Sequence, residues 1–389
     1  MKSMLWIVAA LLGLALGCSD DSSGGDDDGS ADSDTDTDAD TDSDSDTDTD
    51  TDSDTGTGQP ECEDDAVWSG DYTVHDAEDL AGIAGYSVVT GTLFVDGTDL
   101  VDLTGLECLT EVGWLAFNDN PDLENVDALS ALVVTHSHLT FYGSDSLTDV
   151  DGLSSLTHVG GNLVLGTPTY GGNPQLADIG GLAALTEVIG GVQFTGNTAL
   201  ADLDGLASLE TIGTDLLVID NAALAQVDGL ASLTSVGGDM FFCDNPSLTD
   251  VNGLSSLESV DGVLTFGVAP EYPGNDSLLN LDGLSSLTYV GNGIQIEDNA
   301  VLANVDGLSG LTTLPSDLVI TSNPALATLD GFDNLTDLGG GMFVFENYSL
   351  PTCEATGLRD QLQGEGWTGE VCILSNQTDS CPDDTTDCW

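Results

Sequence analysis

Residues 228–254 read "DGLASLTSVGGDMFFCDNPSLTDVNGL", from Asp228 to Leu254, and the stretch opens and closes on nearly the same phrase. The phrase recurs, starting near Gly105, Ala128, Gly152, Gly181, Gly205, Gly229, Gly253, Gly283, Gly307 and Gly331, with spacings of 23, 24, 29, 24, 24, 24, 30, 24 and 24. A fixed period in this range marks a stacked repeat architecture. Within one copy the apolar residues fall mostly on every third position with one alternating pair: Leu206, Leu209, Ile212, Leu216, Val218, Leu224 and Val227. That pattern is neither a sustained helical stripe nor one long alternating strand. It predicts short strands joined by corners, with apolar side chains turned toward a central axis. The expected fold is all-β, a right-handed parallel β-helix of about ten to eleven turns with ~24-residue repeats, capped at both ends.

Two polar columns accompany the apolar ones. Asn recurs at Asn120, Asn173, Asn197, Asn221, Asn245, Asn275, Asn299, Asn323 and Asn347, where an amide can bond the corner backbone of its own and adjacent turns. Asp recurs before the Gly at Asp127, Asp151, Asp204, Asp228, Asp282, Asp306 and Asp330, where it is expected to cap the following turn. Both columns are read as scaffold.

The segment "GLSSLESVDGVLTF" (253–266) and its copies, with Asn after the second strand, resemble the repeats of receptor L-domains, the leucine-rich-like β-helical modules of insulin and epidermal growth factor receptors. Related fungal and bacterial surface proteins carry similar repeats. The resemblance covers about residues 62–374 and implies architecture, not ligand. This chain has more turns than a typical receptor module and lacks the Cys-rich domain between paired modules, so a receptor role does not carry over.

The N-terminus "MKSMLWIVAALLGLALGC" has a short apolar core from Leu5 to Leu16, too short to span a bilayer and suited to a signal peptide. Its end, "LALGC", resembles a bacterial lipobox, which implies a signal peptide over 1–17 and a lipidated Cys18. Ser19 after the cysteine then implies the outer membrane under the enterobacterial sorting rule. Residues 19–60 hold 17 Asp among Ser, Thr and Gly with no large apolar residue, which predicts a disordered, extended tether. Fully stretched, such a tether reaches on the order of 100 Å. The remaining organisation is read as solenoid repeats over 61–350, a C-terminal cap over 351–374 and an acidic tail over 375–389.

The chain carries 69 acidic residues against Lys2 and Arg359, a net charge of −67. Such a surface repels phosphate backbones, which excludes nucleic acid as a partner and leaves a lipid anchor as the link to a membrane. No EF-hand register occurs in the Asp-rich segment, so the expectation is no cofactor beyond weak, nonspecific calcium. His136, His138 and His158 are conceivable metal ligands, but surface or corner histidines are the preferred reading. No nucleophile elbow, phosphate loop or His-Glu-x-x-His motif appears, and no catalytic residue is assigned.

Among the cysteines, the simplest local pairing is Cys62–Cys108, Cys353–Cys372 and Cys381–Cys388, with Cys243 left unpaired. Ala355, Leu358 and Leu362 fall at helical spacing and are expected to cover the last turn. Strand alternation turns Gln193, Leu217 and Phe241 outward, with Ile219 and Cys243 in the next outward column. The apolar members should form an exposed patch. Two copies carry insertions at one phase, "GTPTYGG" (166–172) and "GVAPEYPG" (267–274), each with a Tyr. Tyr170, Gln193, Leu217, Ile219, Phe241 and Tyr272 are therefore the candidate ligand contacts. The expected role is a surface-exposed or periplasmic, monomeric, non-enzymatic binding or adhesion module for a glycan or protein partner. The alternatives are a structural envelope protein without a ligand and a β-helical polysaccharide-degrading enzyme.

Overall fold

A computed structural model of the chain describes residues 62, 66–268, 272–384 and 388. The expected signal peptide, Cys18 and the tether lie outside the described residues. No helix among those described is long and apolar enough to cross a membrane.

Most copies contribute a two-residue strand, a strand of three or four residues and a 3-10 turn, as in Thr211–Ile212, Leu216–Ile219 and Asp228–Leu230, whereas the first copy merges its two strands into Glu111–Asn118. Corresponding strands pair in parallel, one copy on the next, so that Leu216, Leu217, Val218 and Ile219 stand opposite Met240, Phe241, Phe242 and Cys243. The pairing continues from copy to copy into a long parallel sheet of 21 strands, with a separate pair formed by Thr313–Leu314 and Asp337–Leu338. Stacked parallel strands of this kind are what the 24-residue period predicts. The insertions leave the register intact: Leu163 still opposes Val192, and Leu264 still opposes Ile294.

The inward positions form one core. Leu206, Leu209, Ile212, Leu216, Val218, Leu224 and Val227 are all closed to solvent, and the equivalent residues of the other copies join them. Burying a Leu or Val of this kind contributes roughly 1.5–3 kcal/mol. Inside the stack, Phe117 lies on Phe141 with centroids 4.3 Å apart and Phe242 on Phe266 at 5.7 Å. The Gly of the Asp-Gly phrase is required by close approach: a Cβ at Gly229 would overlap the carbonyl of Leu203 in the preceding copy.

Both ends are covered. Helix α1 (Ala77–Ile83) buries Leu80 and Ile83 and is capped by Asp76, whose carboxylate accepts from the N–H groups of Glu78 and Asp79. Helix α2 (Thr352–Gly364) lays Ala355, Leu358 and Leu362 on the final turn, as their spacing predicts. The amide of Gln361 donates to the carbonyls of Phe332, Asp333 and Leu335, which pins α2 there.

The Cys62–Cys108 bridge forms as expected, but the two C-terminal bridges are Cys353–Cys381 and Cys372–Cys388, with Cα separations of 5.1 and 4.8 Å. The expected Cys353–Cys372 and Cys381–Cys388 pairs are corrected. Cys353 starts α2 whereas Cys372 lies on the strand Val371–Leu374 that follows it, so the helix separates them. The tail folds back: Ile373 and Asp384 exchange backbone hydrogen bonds, and Arg359 holds Asp384 at 2.9 Å. Residues expected to trail as an acidic tail are thereby stitched into the cap.

Candidate functional site

The two polar columns differ in what they do. From Asn173 onward the Asn side chains form a continuous buried chain. Asn245 donates its amide to the carbonyls of Val218 and Cys243 and to Asn275 Oδ1, while its own oxygen accepts from the backbone and amide of Asn221. The series runs on to Asn347 and then to Asn376, and at the other end Thr98 bonds Asn120. Asn376 and Thr98 were not singled out in the sequence. One gap interrupts it: Ser144 occupies the ladder position between Asn120 and Asn173, and its Oγ is buried without a partner.

The Asp column does not cap as expected. The turn is closed by the side chain two residues earlier: Asp149 accepts from the N–H of Asp151, Asp202 from that of Asp204, and Asn304 from that of Asp306. The Asp-Gly carboxylates accept no backbone hydrogen bond among the described residues and instead stand one above another. Burial and then neighbouring carboxylates hold the carboxyls of Asp151, Asp204 and Asp306 above the ordinary Asp range, making them weaker acids. This is an uncompensated acidic ridge.

The candidate contacts lie on the outer face of the main sheet. The core includes Met240 and Phe242 and omits Phe241 and Cys243, so the outward direction read from alternation holds. Exposure does not follow from it. Leu217, Ile219, Phe241 and Cys243 retain 2, 0, 1 and 0 % of their accessible surface, and Gln193 retains 4 %. The expected exposed apolar patch is therefore corrected. In-register neighbours on adjoining strands shield one another, Leu217 on Phe241 and Phe241 on Thr265, at the ~4.8 Å strand spacing. Cys243 is unpaired, and burial pushes its thiol up to about 12, which leaves it inert.

The insertions form miniature hairpins. Thr167 and Gly171 exchange backbone hydrogen bonds, and so do Val268 and Tyr272. Each brings its Tyr back toward the same outward column one copy earlier. Tyr170, 53 % exposed, stacks on Tyr142 with centroids 5.0 Å apart and planes 22° from parallel. Tyr272 is half-buried, and its phenol is pushed up first by that burial and then by Cys243 and Asp220. The hairpins thus lean the same way along the face, Tyr170 away from the Gln193 strand and Tyr272 toward the Phe241 strand, and do not mirror each other as two walls. Trp114 makes a separate aromatic contact, donating to Thr140 at 3.4 Å with its ring edge-on to His138 at 5.1 Å.

The histidines do not converge on a metal. His136 pairs with Glu111 at 3.0 Å and His158 with Glu187 at 3.3 Å. His138 Nδ1 accepts from the N–H of Asn162 at 2.9 Å, and burial lowers its basicity. Cys353, Asp379 and Cys381 have ligand-like spacing, but the two sulfurs are spent in a disulfide.

No known protein family matches this chain, and no curated protein resembles it significantly. Among solved structures it is similar to the crystal structure of a TLR13–ssRNA13 complex, at 12 % identity and a TM-score of 0.20, over 78 % of this chain and 61 % of that one. A match this distant supports neither fold nor ligand. The fold rests on the repeat register and the parallel sheet.

Proposed function

We propose that the chain is a non-enzymatic binding or adhesion module for a glycan or protein partner, built as a right-handed β-helix of about ten to eleven turns. In this reading Cys18 carries lipid, the acidic segment 18–60 holds the module off the outer membrane, and the module acts as a monomer without a cofactor. The observation that supports binding is the pair of hairpins that place Tyr170 and Tyr272 over equivalent columns of one rigid sheet face, since loops on a fixed scaffold concentrate contact residues and Tyr is favoured among them. The net charge of −67 argues against a nucleic acid partner.

A screen of the full chain against glycan and protein arrays, repeated with Tyr170→Ala and Tyr272→Ala, tests the proposal. Specific binding weakened by either substitution supports it. Binding to no partner in the arrays favours a purely structural envelope role, and turnover of a polysaccharide would replace it with an enzyme.

A further inference from the structure

The two hairpins are equivalent in place but differ in what they present. Tyr170 and Tyr272 each stand three residues before a ladder Asn, Asn173 and Asn275. Tyr272 is half-buried, whereas Tyr170 lies on Tyr142 and keeps 53 % of its surface open. With one ring face on Tyr142, that exposure leaves the opposite face of Tyr170 to solvent. The ring is also held in place: Thr167 and Gly171 close the hairpin, and the N–H of Tyr170 donates to Thr167 Oγ1 at 3.0 Å. An aromatic face that is positioned beforehand lowers the ordering cost of binding.

The surroundings of this ring are anionic. Asp119 is exposed, its N–H donates to the carbonyl of Tyr142 at 3.0 Å, and its carboxylate reaches over Gly143, where a Cβ would overlap Oδ1. Its place relative to Tyr170 is that of Asp220 relative to Tyr272, each preceding the ladder residue two copies back. Asp220 is close enough to Tyr272 to add to the effect of burial and Cys243 on that phenol. Asp96, two strands before Tyr142 in the same outward column, and Asp145, three residues past Tyr142, are exposed as well. None of these three carboxylates has an ion pair among the described residues. The sequence holds no Lys or Arg between Lys2 and Arg359 that could supply one.

An open aromatic face beside unpaired carboxylates complements a cation, and a planar one best. A guanidinium is flat, weakly hydrated and able to stack on a ring while its edge bonds a carboxylate, whereas an ammonium is a compact, strongly hydrated charge. We infer that Tyr170, stacked on Tyr142 and flanked by Asp119, is the contact site for an arginine in a basic segment of a protein partner. The guanidinium lies on the outer face of Tyr170 and donates to Asp119, while Asp96 and Asp145 attract the rest of the segment. The inference rests on the binding-module reading and names the partner class and its contact residues.

The test measures fluorescence anisotropy of a labelled Gly/Ser peptide carrying several arginines, with the full chain at physiological salt. Matching peptides carry lysine or citrulline, the uncharged isostere of arginine. The variants are Tyr170→Ala, Tyr170→Phe, Tyr272→Ala and Asp119→Asn, the last chosen because Asn tolerates the left-handed backbone of Asp119 (φ 51°). The arginine peptide should bind, the lysine peptide more weakly and the citrulline peptide not at all. Tyr170→Ala should weaken binding about fivefold and Asp119→Asn about threefold, with Tyr170→Phe and Tyr272→Ala near wild type. Arginine-peptide binding that survives Tyr170→Ala reports only the general acidic surface; it overturns the site and leaves the module standing. Wild-type affinity in Asp119→Asn, whose hairpin is untouched, overturns the ion pair. Equal binding of the citrulline peptide, or a neutral glycan on the array that is lost with Tyr170→Ala, overturns the cationic partner. Failure to bind any peptide overturns the inference, and failure on the glycan and protein arrays as well overturns the module.

Discussion

The two corners of the solenoid repeat with the same period and are both polar, yet they are held in opposite ways. At the Asn corner every amide is buried, and from Asn173 to Asn347 each is bonded to the copies before and after it, so the column is a source of cohesion. At the Asp-Gly corner the carboxylates are exposed, stacked and unpaired, so the column is a source of repulsion. Periodicity therefore reports that a position matters geometrically. It does not report whether the position stabilises.

The comparison breaks most sharply at Asn245. Replacing it with Leu removes its bonds to Val218, Cys243 and Asn275 and orphans the backbone of Asn221, at a cost of about 3–5 kcal/mol. Chemical denaturation should show this loss, whereas the same measurement on Asp228→Asn should show almost none.

The second way to sharpen the contrast is pH. Burial is the first cause that raises Asp151, Asp204, Asp215, Asp220, Asp244 and Asp306 above the ordinary Asp value, with carboxylate neighbours adding to it. A carboxyl with a raised folded-state value destabilises the fold while it is ionised, and the penalty disappears as pH falls through the folded and then the unfolded value. Melting temperature should therefore rise by several degrees between neutral pH and the carboxylate range. His138 works the other way: its folded value is lowered, so the unfolded chain takes up the proton first and stability is lost as pH falls below 6.5. His138→Asn, which preserves an acceptor for Asn162, should steepen the rise; a melting temperature that falls steadily with pH would contradict the acidic-ridge account.

Ser144 offers a gain at the cohesive corner. Ser144→Asn should fill the ladder between Asn120 and Asn173 and add about 1 kcal/mol, read as a higher denaturation midpoint with an unchanged slope. The smallest effect belongs to the ridge taken one carboxylate at a time. Asp204→Asn should stabilise by less than about 1 kcal/mol at low salt and by nothing measurable at high salt, because these groups are mostly exposed and screened.

These contrasts also mark what the sequence made legible. Apolar spacing identified the inward residues, and the recurrence of Asn identified the ladder, because in both cases identity and burial are tied by chemistry. Asp recurrence misled, since the turn is closed from Asp149 and Asp202, two positions earlier, by residues that vary between Asp and Asn and skip some copies. Strand alternation gave the direction of Phe241 but not its exposure, which depends on what the adjoining strands bring alongside. The C-terminal disulfides were illegible for a similar reason: proximity there is made by the folded-back tail, not by spacing.

The central claim is that this scaffold is held together by one polar column and opposed by the other. Chemical denaturation of Asn245→Leu and Asp228→Asn, measured side by side at neutral pH, tests it most directly. The account predicts a loss of about 3–5 kcal/mol for the first and almost none for the second. Equal losses in the two variants would contradict it.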